Sequence, residues 1–239
     1  MRALPGIRRT ASVSSALLDP AQPGTRVKIC CISSVSEAEL ALEEGADALG
    51  LVSAMPSGPG VILDDEIRRV IAWVEGRRPT VLLTSRRTAS GIAAQLTDAA
   101  PAVLQLCDEV SAEEKATTRQ RFPGLALMPV VHVRDARSVA QARTYSEHAD
   151  ALLLDSGNPG AAIPELGGTG RTHDWNVSAT IVAAAGVPVF LAGGLRADNV
   201  AQAIDHVRPH GVDVCSGVRK NGRLDRQLLR DFITQLRTN

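Results

Sequence analysis

The sequence predicts a single α/β domain folded as a (β/α)8 TIM barrel. From Val27 onward, eight short aliphatic runs alternate with stretches of helical period. Most of these runs are continuously apolar, which is typical of a parallel sheet covered by helices. Hydrophobic residues make up 44% of the chain and aromatic residues only 3%, so Ala, Val, Leu and Ile are expected to build the core. Eight right-handed units close naturally into a barrel, and an open doubly wound sheet is the alternative.

The first four units occupy the first half of the chain. The first helix is expected to stop at Gly45, because glycine adopts the left-handed conformation that ends helices. The fourth helix is markedly polar, as expected for a solvated face. The predicted strands are residues 27–32, 47–52, 80–84 and 102–106, and the predicted helices are 36–44, 64–74, 89–97 and 112–121.

The second half repeats this order. A glycine-rich loop separates the sixth strand from its helix, and the last helix closes the chain. The predicted strands are residues 125–131, 151–154, 187–191 and 211–214, and the predicted helices are 136–146, 176–184, 197–207 and 225–236. No linker divides the series, so one domain is predicted over residues 26–239.

Residues 1–25 are rich in Arg, Ser and Pro and show no clear periodicity. An organellar transit peptide has a similar composition. We favour the other interpretation, a flexible N-terminal extension that packs loosely or not at all.

Charge and composition exclude several classes of function. The 26 basic and 26 acidic residues leave a net charge of +0, which provides no basic surface for nucleic acid. No apolar run approaches the roughly 20 residues that span a bilayer. The four cysteines lack zinc-site spacing and a secretory context, so free thiols in a cytoplasmic protein are expected. No pair among the five histidines has metal-ligand spacing, although His132 follows the fifth strand and is placed to face the site.

Three turns of small residues in the last third of the chain predict a phosphate site. Glycine lets backbone N–H groups approach an anion, and barrels often bind phosphate with their last loops. A single such turn is better explained as a tight turn, but three in succession favour phosphate binding. The residues concerned are Gly168, Thr169 and Gly170 after strand six, Gly193 and Gly194 after strand seven, and Ser216 and Gly217 after strand eight.

Candidate reactive groups lie where two strands end, at the face that carries the active site in this fold. Cys30 ends the first strand, and alternation places Lys28 on the same inward face, where an unused lysine is costly. Asp155 ends the sixth strand, where partial desolvation would raise its pKa enough for a general acid. A small buried thiol and a carboxylate bonded to its own loop are the structural alternatives. Asp174 is interpreted as a helix N-cap.

The sequence resembles the phosphoribosylanthranilate isomerase family from Arg26 to the C-terminus. The resemblance begins with Val-Lys-Ile-Cys at residues 27–30 and Glu-Gly-Ala-Asp-Ala-Leu-Gly at 44–50. It is most specific in the second half. There it rests on Leu-Leu-Asp-Ser at 153–156, Gly-Gly-Thr-Gly-Arg-Thr-His-Asp-Trp at 167–175, Leu-Ala-Gly-Gly-Leu at 191–195, Asn-Val at 199–200 and Gly-Val-Asp-Val-Cys-Ser-Gly-Val at 211–218.

The resemblance implies an aldose–ketose isomerase of tryptophan biosynthesis that needs no cofactor and no metal. Its substrate is a phosphorylated small molecule, N-(5′-phosphoribosyl)anthranilate, or a related phosphoribosylamine for a paralogue. Carried onto this chain, Asp155 is the general acid and Cys30 the general base, with the late glycine loops holding the phosphate. Family members are monomers or homodimers. A non-catalytic phosphate-binding barrel with a regulatory role, or another barrel lyase or synthase, is the alternative.

The sequence departs from the family in the part of the pocket that faces the aromatic acid. The family's basic segment after strand two is here Ser-Ala-Met-Pro-Ser-Gly-Pro-Gly at residues 53–60, without a positive charge. The glycine that usually follows the catalytic cysteine is Cys31, and the family's Gln-Leu-His-Gly after strand four is Gln-Leu-Cys-Asp at 105–108. Arg86 or Arg87, after strand three, is the candidate replacement cation for the carboxylate; the alternative is that both are solvated.

Overall fold

The computed structural model describes residues 16–74, 76–96, 100–157 and 172–238. Within them, eight parallel strands pair in chain order and form a closed barrel, because β1 pairs with both β2 and β8. This confirms the predicted (β/α)8 barrel over the open sheet. The strands are β1 Arg26–Ile29, β2 Ala48–Val52, β3 Thr80–Thr84, β4 Val103–Leu106, β5 Ala126–His132, β6 Leu152–Asp155, β7 Val189–Leu191 and β8 Gly211–Val214.

A helix follows every strand, and five of the eight begin at a side-chain cap. In each of these five, a Ser, Thr or Asp oxygen accepts a hydrogen bond from a backbone N–H two or three residues later: Ser34, Thr88, Ser111, Asp174 and Asp225. The N-cap predicted at Asp174 is therefore confirmed. The helices are α1 Val35–Glu43, α2 Asp64–Val74, α3 Ala89–Gln95, α4 Ala112–Arg121, α5 Arg137–Ser146, α6 Trp175–Ala184, α7 Val200–Val207 and α8 Arg226–Arg237.

The core has two layers, one between sheet and helices and one inside the barrel. The inner layer consists mostly of Ala, Val, Leu and Cys side chains, as the scarcity of aromatic residues predicts. Phe190 is the one aromatic member among the described residues, and Gly211 on the neighbouring strand makes room for the ring, since a Cβ there would collide with it. Leu17, which precedes β1, belongs to the same layer, and its carbonyl accepts a hydrogen bond from His210 Nε2.

Two local features differ from the sequence-based expectation. Strand β1 ends at Ile29, three residues early, because Cys31 adopts a left-handed φ of 63° that no strand accommodates. After β8, a 3-10 turn at Ser216–Val218 leads into a short hairpin of β9 Arg219–Lys220 and β10 Arg223–Leu224. Asn221 and Gly222 form its turn, both with positive φ, as two-residue hairpin turns favour.

Ion pairs reinforce the seam where the last strand meets the first. Arg226 on α8 pairs with Glu43 and Glu44, and Arg230 pairs with the same Glu44. Nearer the C-terminus, Arg237 pairs with Asp47 just before β2. The final helix is thereby aligned against the first unit of the barrel. No helix in the described ranges is long and apolar enough to cross a bilayer.

Candidate active site

A cavity opens at the C-terminal ends of the barrel strands. Among the side chains and backbone segments that line it are five of the residues that the sequence singled out. They come from four different strand ends, so the fold assembles them from segments far apart in the chain. These five are Cys30, Asp155, Gly193, Gly194 and Ser216.

Cys30 lies directly after β1, with a side chain only 6% exposed. Its backbone N–H donates to the carbonyl of Val214 at 2.8 Å, which continues the β1–β8 ladder by one bond. The guanidinium of Arg219 donates to the carbonyls of Cys30 and Cys31 and forms an ion pair with Glu37 on α1. The backbone of Cys30 is therefore held by β8 and by Arg219 of the hairpin that follows it.

Lys28 lies beneath Cys30 inside the barrel and is completely buried. Its Nζ is 2.8 Å from the Asp213 carboxylate, on the residue directly opposite in β8. Burial disfavours the charged amine, but the Asp213 carboxylate outweighs that penalty, so the pKa of Lys28 is raised and it stays protonated. Gly50 on β2 leaves space for this arrangement, because a Cβ there would lie 3.1 Å from both Lys28 Nζ and Cys30 Sγ.

Asp155 ends β6 and is 8% exposed. The backbone N–H of Ser156 donates to its Oδ1 at 2.7 Å. Burial raises the pKa of Asp155 to about 6, although the Ser156 N–H bond favours the carboxylate. A carboxyl group with this pKa is partly protonated near neutral pH, which is what a general acid requires.

The loops after β7 and β8 form one wall of the cavity. Gly193 and Gly194 adopt φ of 85° and 65°, and the Asn199 side chain holds them by donating to the Gly194 carbonyl at 3.0 Å. The β8 loop packs directly against the next residue of the β7 loop, since a Cβ on Gly217 would collide with the Leu195 carbonyl. Only glycine permits this approach, so the two loops act as one wall.

The opposite part of the cavity is lined by uncharged side chains that include Met55, Leu83, Gln105 and Cys107. Burial raises the pKa of the Cys107 thiol to about 12, so this thiol stays protonated. Next to this wall, His132 is 8% exposed and aligned with Asp155 in the β5–β6 register. One ring nitrogen contacts the Cys107 carbonyl at 3.3 Å, and burial lowers the pKa of the imidazole. His132 is therefore neutral at the barrel mouth.

The remaining predicted site residues differ in where they lie. Gly168, Thr169 and Gly170 lie outside the described residues. Lys28 lies below the cavity, and Gly217 supports its wall. Arg86 is exposed after β3 and does not line the cavity, although its backbone N–H donates to the Thr84 side chain at 3.0 Å.

Sequence reasoning missed Asp213 and Arg219. Asp213 had a usable signal, because an inward lysine on β1 demands a carboxylate from a neighbouring strand and Asp213 interrupts an otherwise apolar run. Arg219 was missed because its role depends on contacts with the end of β1 that form only in the folded barrel.

Comparison with known proteins relates this chain to one enzyme family. The family model of N-(5′-phosphoribosyl)anthranilate (PRA) isomerase matches residues 27–235. The enzymes of that name from Methanothrix thermoacetophila and Methanocella arvoryzae are 37% and 36% identical over 215 and 214 residues. These alignments cover 90% and 89% of this chain and 99% and 98% of those proteins.

Solved structures agree with the sequence relatives. Phosphoribosyl anthranilate isomerase from Thermotoga maritima matches with a TM-score of 0.77 and 29% identity, over 90% of this chain and 100% of that one. A phosphoribosyl anthranilate isomerase in complex with reduced 1-(o-carboxyphenylamino)-1-deoxyribulose 5-phosphate matches with a TM-score of 0.75 and 27% identity, at the same coverages. The resemblance noted in the sequence is confirmed: the chain belongs to the N-(5′-phosphoribosyl)anthranilate isomerase family.

Proposed function

We propose that Cys30 and Asp155 are the base and the acid of the isomerisation that defines this family. The chain is a PRA isomerase of tryptophan biosynthesis, which confirms the predicted aldose–ketose isomerase. The roles of individual residues rest on one observation above all: Cys30 and Asp155 line the same cavity from β1 and β6, three strands apart around the barrel. Two groups so placed flank a substrate from different sides.

The proposed reaction is an Amadori rearrangement of N-(5′-phosphoribosyl)anthranilate. Asp155 donates its proton to the furanose ring oxygen, the C1′–O bond breaks, and an iminium ion forms. The Cys30 thiolate then removes the proton from C2′, which gives an enolamine that tautomerises to the ketone. Both steps are proton transfers, and the raised pKa of Asp155 supports the first of them.

Lys28 is proposed to place a fixed positive charge beneath Cys30. Its ammonium is completely buried and lies near the thiol, since Lys28 Nζ and Cys30 Sγ are both 3.1 Å from the position that a Cβ would take at Gly50. Asp213 keeps this ammonium in place and offsets its desolvation. We therefore assign Lys28 as a positioning and electrostatic residue below the substrate.

The substrate phosphate is proposed to bind the wall formed by the β7 and β8 loops. Gly193, Gly194 and Ser216 line the cavity there, and glycine amides approach anions closely. By resemblance to the family, Gly168, Thr169 and Gly170 complete this site. The phosphate would thus lie on the side of the cavity away from Gln105.

The anthranilate carboxylate needs a cation, and Arg86 or Arg87 remains the proposed source. Either side chain would have to fold inward, since both are exposed and Arg87 Nε donates to the Glu109 carbonyl. Measuring KM for Arg86→Ala and Arg87→Ala tests this proposal. An unchanged KM in both variants would show that both arginines are merely solvated.

Complementation of a tryptophan auxotroph that lacks the isomerase tests the catalytic assignment. Wild type is expected to restore growth, while Cys30→Ala and Asp155→Ala are not. Asp205→Ala, an exposed aspartate of α7, serves as a matched control and is expected to complement. Growth with either catalytic variant would refute the residue roles, and no growth with wild type would favour a non-catalytic binding protein.

We propose a cytoplasmic location and either a monomer or a homodimer. One structure that matches this chain is described as mutually generated monomers of a dimeric phosphoribosylanthranilate isomerase from Thermotoga maritima. Analytical ultracentrifugation distinguishes the two states directly. A tetramer or higher assembly would contradict the proposal.

A further inference from the structure

Two thiols that the proposed mechanism does not use meet at the mouth of the barrel. Cys31 follows Cys30, and Cys215 follows β8, 184 residues away in the sequence. Their sulfur atoms are 2.7 Å apart, closer than non-bonded sulfur atoms normally approach, yet both cysteines are free. Closing this gap to a covalent S–S bond requires a displacement of under about 1 Å, because disulfide sulfurs lie roughly 2.05 Å apart.

The backbone holds both thiols in place from opposite sides of the barrel seam. Cys31 is fixed in a left-handed conformation, and the Arg219 guanidinium donates to its carbonyl. Gly60 packs closely against the Cys31 side chain, because a Cβ at Gly60 would overlap it. The pairing of β1 with β8 fixes Cys215 opposite. The fold therefore brings the two cysteines together across the seam between β1 and β8.

The two thiols differ in accessibility and in acidity. Cys215 is partly exposed, whereas Cys31 is 5% exposed. The hydrogen bond shared with Cys31, helped by the Arg219 guanidinium, lowers the pKa of Cys215, and the same bond raises the pKa of Cys31. A thiol of lowered pKa that solvent reaches, beside a buried thiol of raised pKa, is the usual arrangement of a peroxide-reactive cysteine and its resolving partner.

The other two thiols are less suited to this reaction. Cys107 is completely buried, keeps its proton and contacts Gln105 on a different wall. Cys30 is adjacent to Cys31 in sequence, and a disulfide between neighbouring residues distorts the connecting peptide. The arrangement therefore favours the pair that joins β1 to β8.

We propose that Cys31 and Cys215 form a thiol–disulfide modification site, which hydrogen peroxide oxidises to an intramolecular disulfide that slows turnover until a thiol reductant reopens it. The Cys215 thiolate attacks one peroxide oxygen, the O–O bond breaks, and the departing hydroxide takes a proton to become water. Cys31 sulfur then attacks the Cys215 sulfenic acid, the S–O bond breaks, and the hydroxide leaves with the Cys31 proton as a second water. Two thiols are oxidised, and one peroxide is reduced to two waters.

The disulfide is expected to affect turnover because of its neighbours. Cys31 adjoins the proposed base Cys30, and Cys215 adjoins Ser216 of the proposed phosphate wall, so this part of the inference rests on the proposed function. Closing the bond moves one or both by a fraction of an ångström, and misplacement by about 1 Å can cost on the order of 100-fold in rate. A reversible loss of roughly tenfold is expected.

Peroxide treatment of the reduced, full-length protein tests this inference. Peptide mapping locates the cross-link, and each variant's turnover after oxidation is compared with its own turnover after dithiothreitol. Wild type is expected to form the 31–215 cross-link and to lose turnover reversibly. Cys31→Gly and Cys215→Ser are expected to form no 31–215 cross-link and to lose less turnover than wild type. Glycine is chosen at position 31 because it suits the left-handed backbone there.

Cys30→Ser separates failure of this inference from failure of the proposed function. It is expected to form the 31–215 cross-link although it lacks the proposed base, and that readout does not depend on turnover. A cross-link through Cys30 or Cys107, or no cross-link in folded wild type, would overturn the proposal. So would a complete 31–215 cross-link that leaves turnover unchanged.

Discussion

Replacing Asp155 with asparagine should make the protein more stable at alkaline pH while it removes the proposed acid. The asparagine would keep the shape of the side chain and an oxygen that still accepts the Ser156 N–H bond. It removes the charge that burial disfavours. A gain in stability at the expense of activity would identify Asp155 as a group retained for chemistry.

The magnitude follows from the pKa of this carboxyl group. Burial raises it from 3.8 to about 6, so the folded protein holds the proton more tightly than the unfolded chain. The stabilising contribution of the protonated form is complete below about pH 4 and is lost as the pH rises through about 6. A difference of about two pKa units corresponds to about 3 kcal/mol at about pH 8.

Guanidinium unfolding of wild type and Asp155→Asn at two pH values measures this effect. At about pH 8 the variant is expected to have a free energy of unfolding about 3 kcal/mol higher, and at about pH 5 roughly half that difference. Changes that the substitution causes in packing or hydrogen bonding would be the same at both pH values. A difference that does not vary with pH, or a variant less stable than wild type at alkaline pH, would refute the assignment of a raised pKa.

Three further substitutions test the surroundings of the site. Lys28→Met leaves the buried Asp213 carboxylate without its partner, so the free energy of unfolding measured by chemical denaturation should fall by about 3–5 kcal/mol. Adding Asp213→Leu should recover most of that loss, and no recovery would contradict the pairing argument. Gly50→Ala places a methyl group 3.1 Å from Cys30 Sγ and Lys28 Nζ, so turnover should fall by roughly tenfold or more, and unchanged turnover would contradict the close packing at this position. Gly217→Ala forces the β8 loop off the β7 loop, so KM should rise by roughly tenfold or more, and an unchanged KM would argue against a phosphate site there.

The sequence was sufficient to predict the barrel because its signals are local and repeated. Each strand is an apolar run, and the caps at Ser34, Thr88 and Ser111 stand where helices begin. The end of β1 was misjudged because the apolar run continues through Ile32, and a positive φ at Cys31 leaves no trace in hydrophobicity. The hairpin after β8 had a signal in the sequence, since Asn221-Gly222 is a pair that two-residue hairpin turns favour.

The site was only partly predictable, for reasons that differ between residues. Cys30 and Asp155 were found because strand ends of a barrel converge at one mouth. The contact between Cys31 and Cys215 depends on the barrel closing with β1 beside β8, which no local pattern records. The sequence did not identify the cation that binds the anthranilate carboxylate, because the position of a long arginine side chain such as Arg86 depends on its rotamer and on the bound substrate.

The pairing of β1 with β8 has a consequence for when this protein becomes active during synthesis. Lys28 and Cys30 emerge early, but Asp213, Val214 and Arg219, which bond to them, are made only with and after the eighth strand. A nascent chain that has completed six or seven units therefore carries both proposed reacting groups, Cys30 and Asp155, without the strand that aligns the first of them. Catalytic competence should consequently appear in one step, once the eighth unit has left the ribosome, and not grow with each unit added.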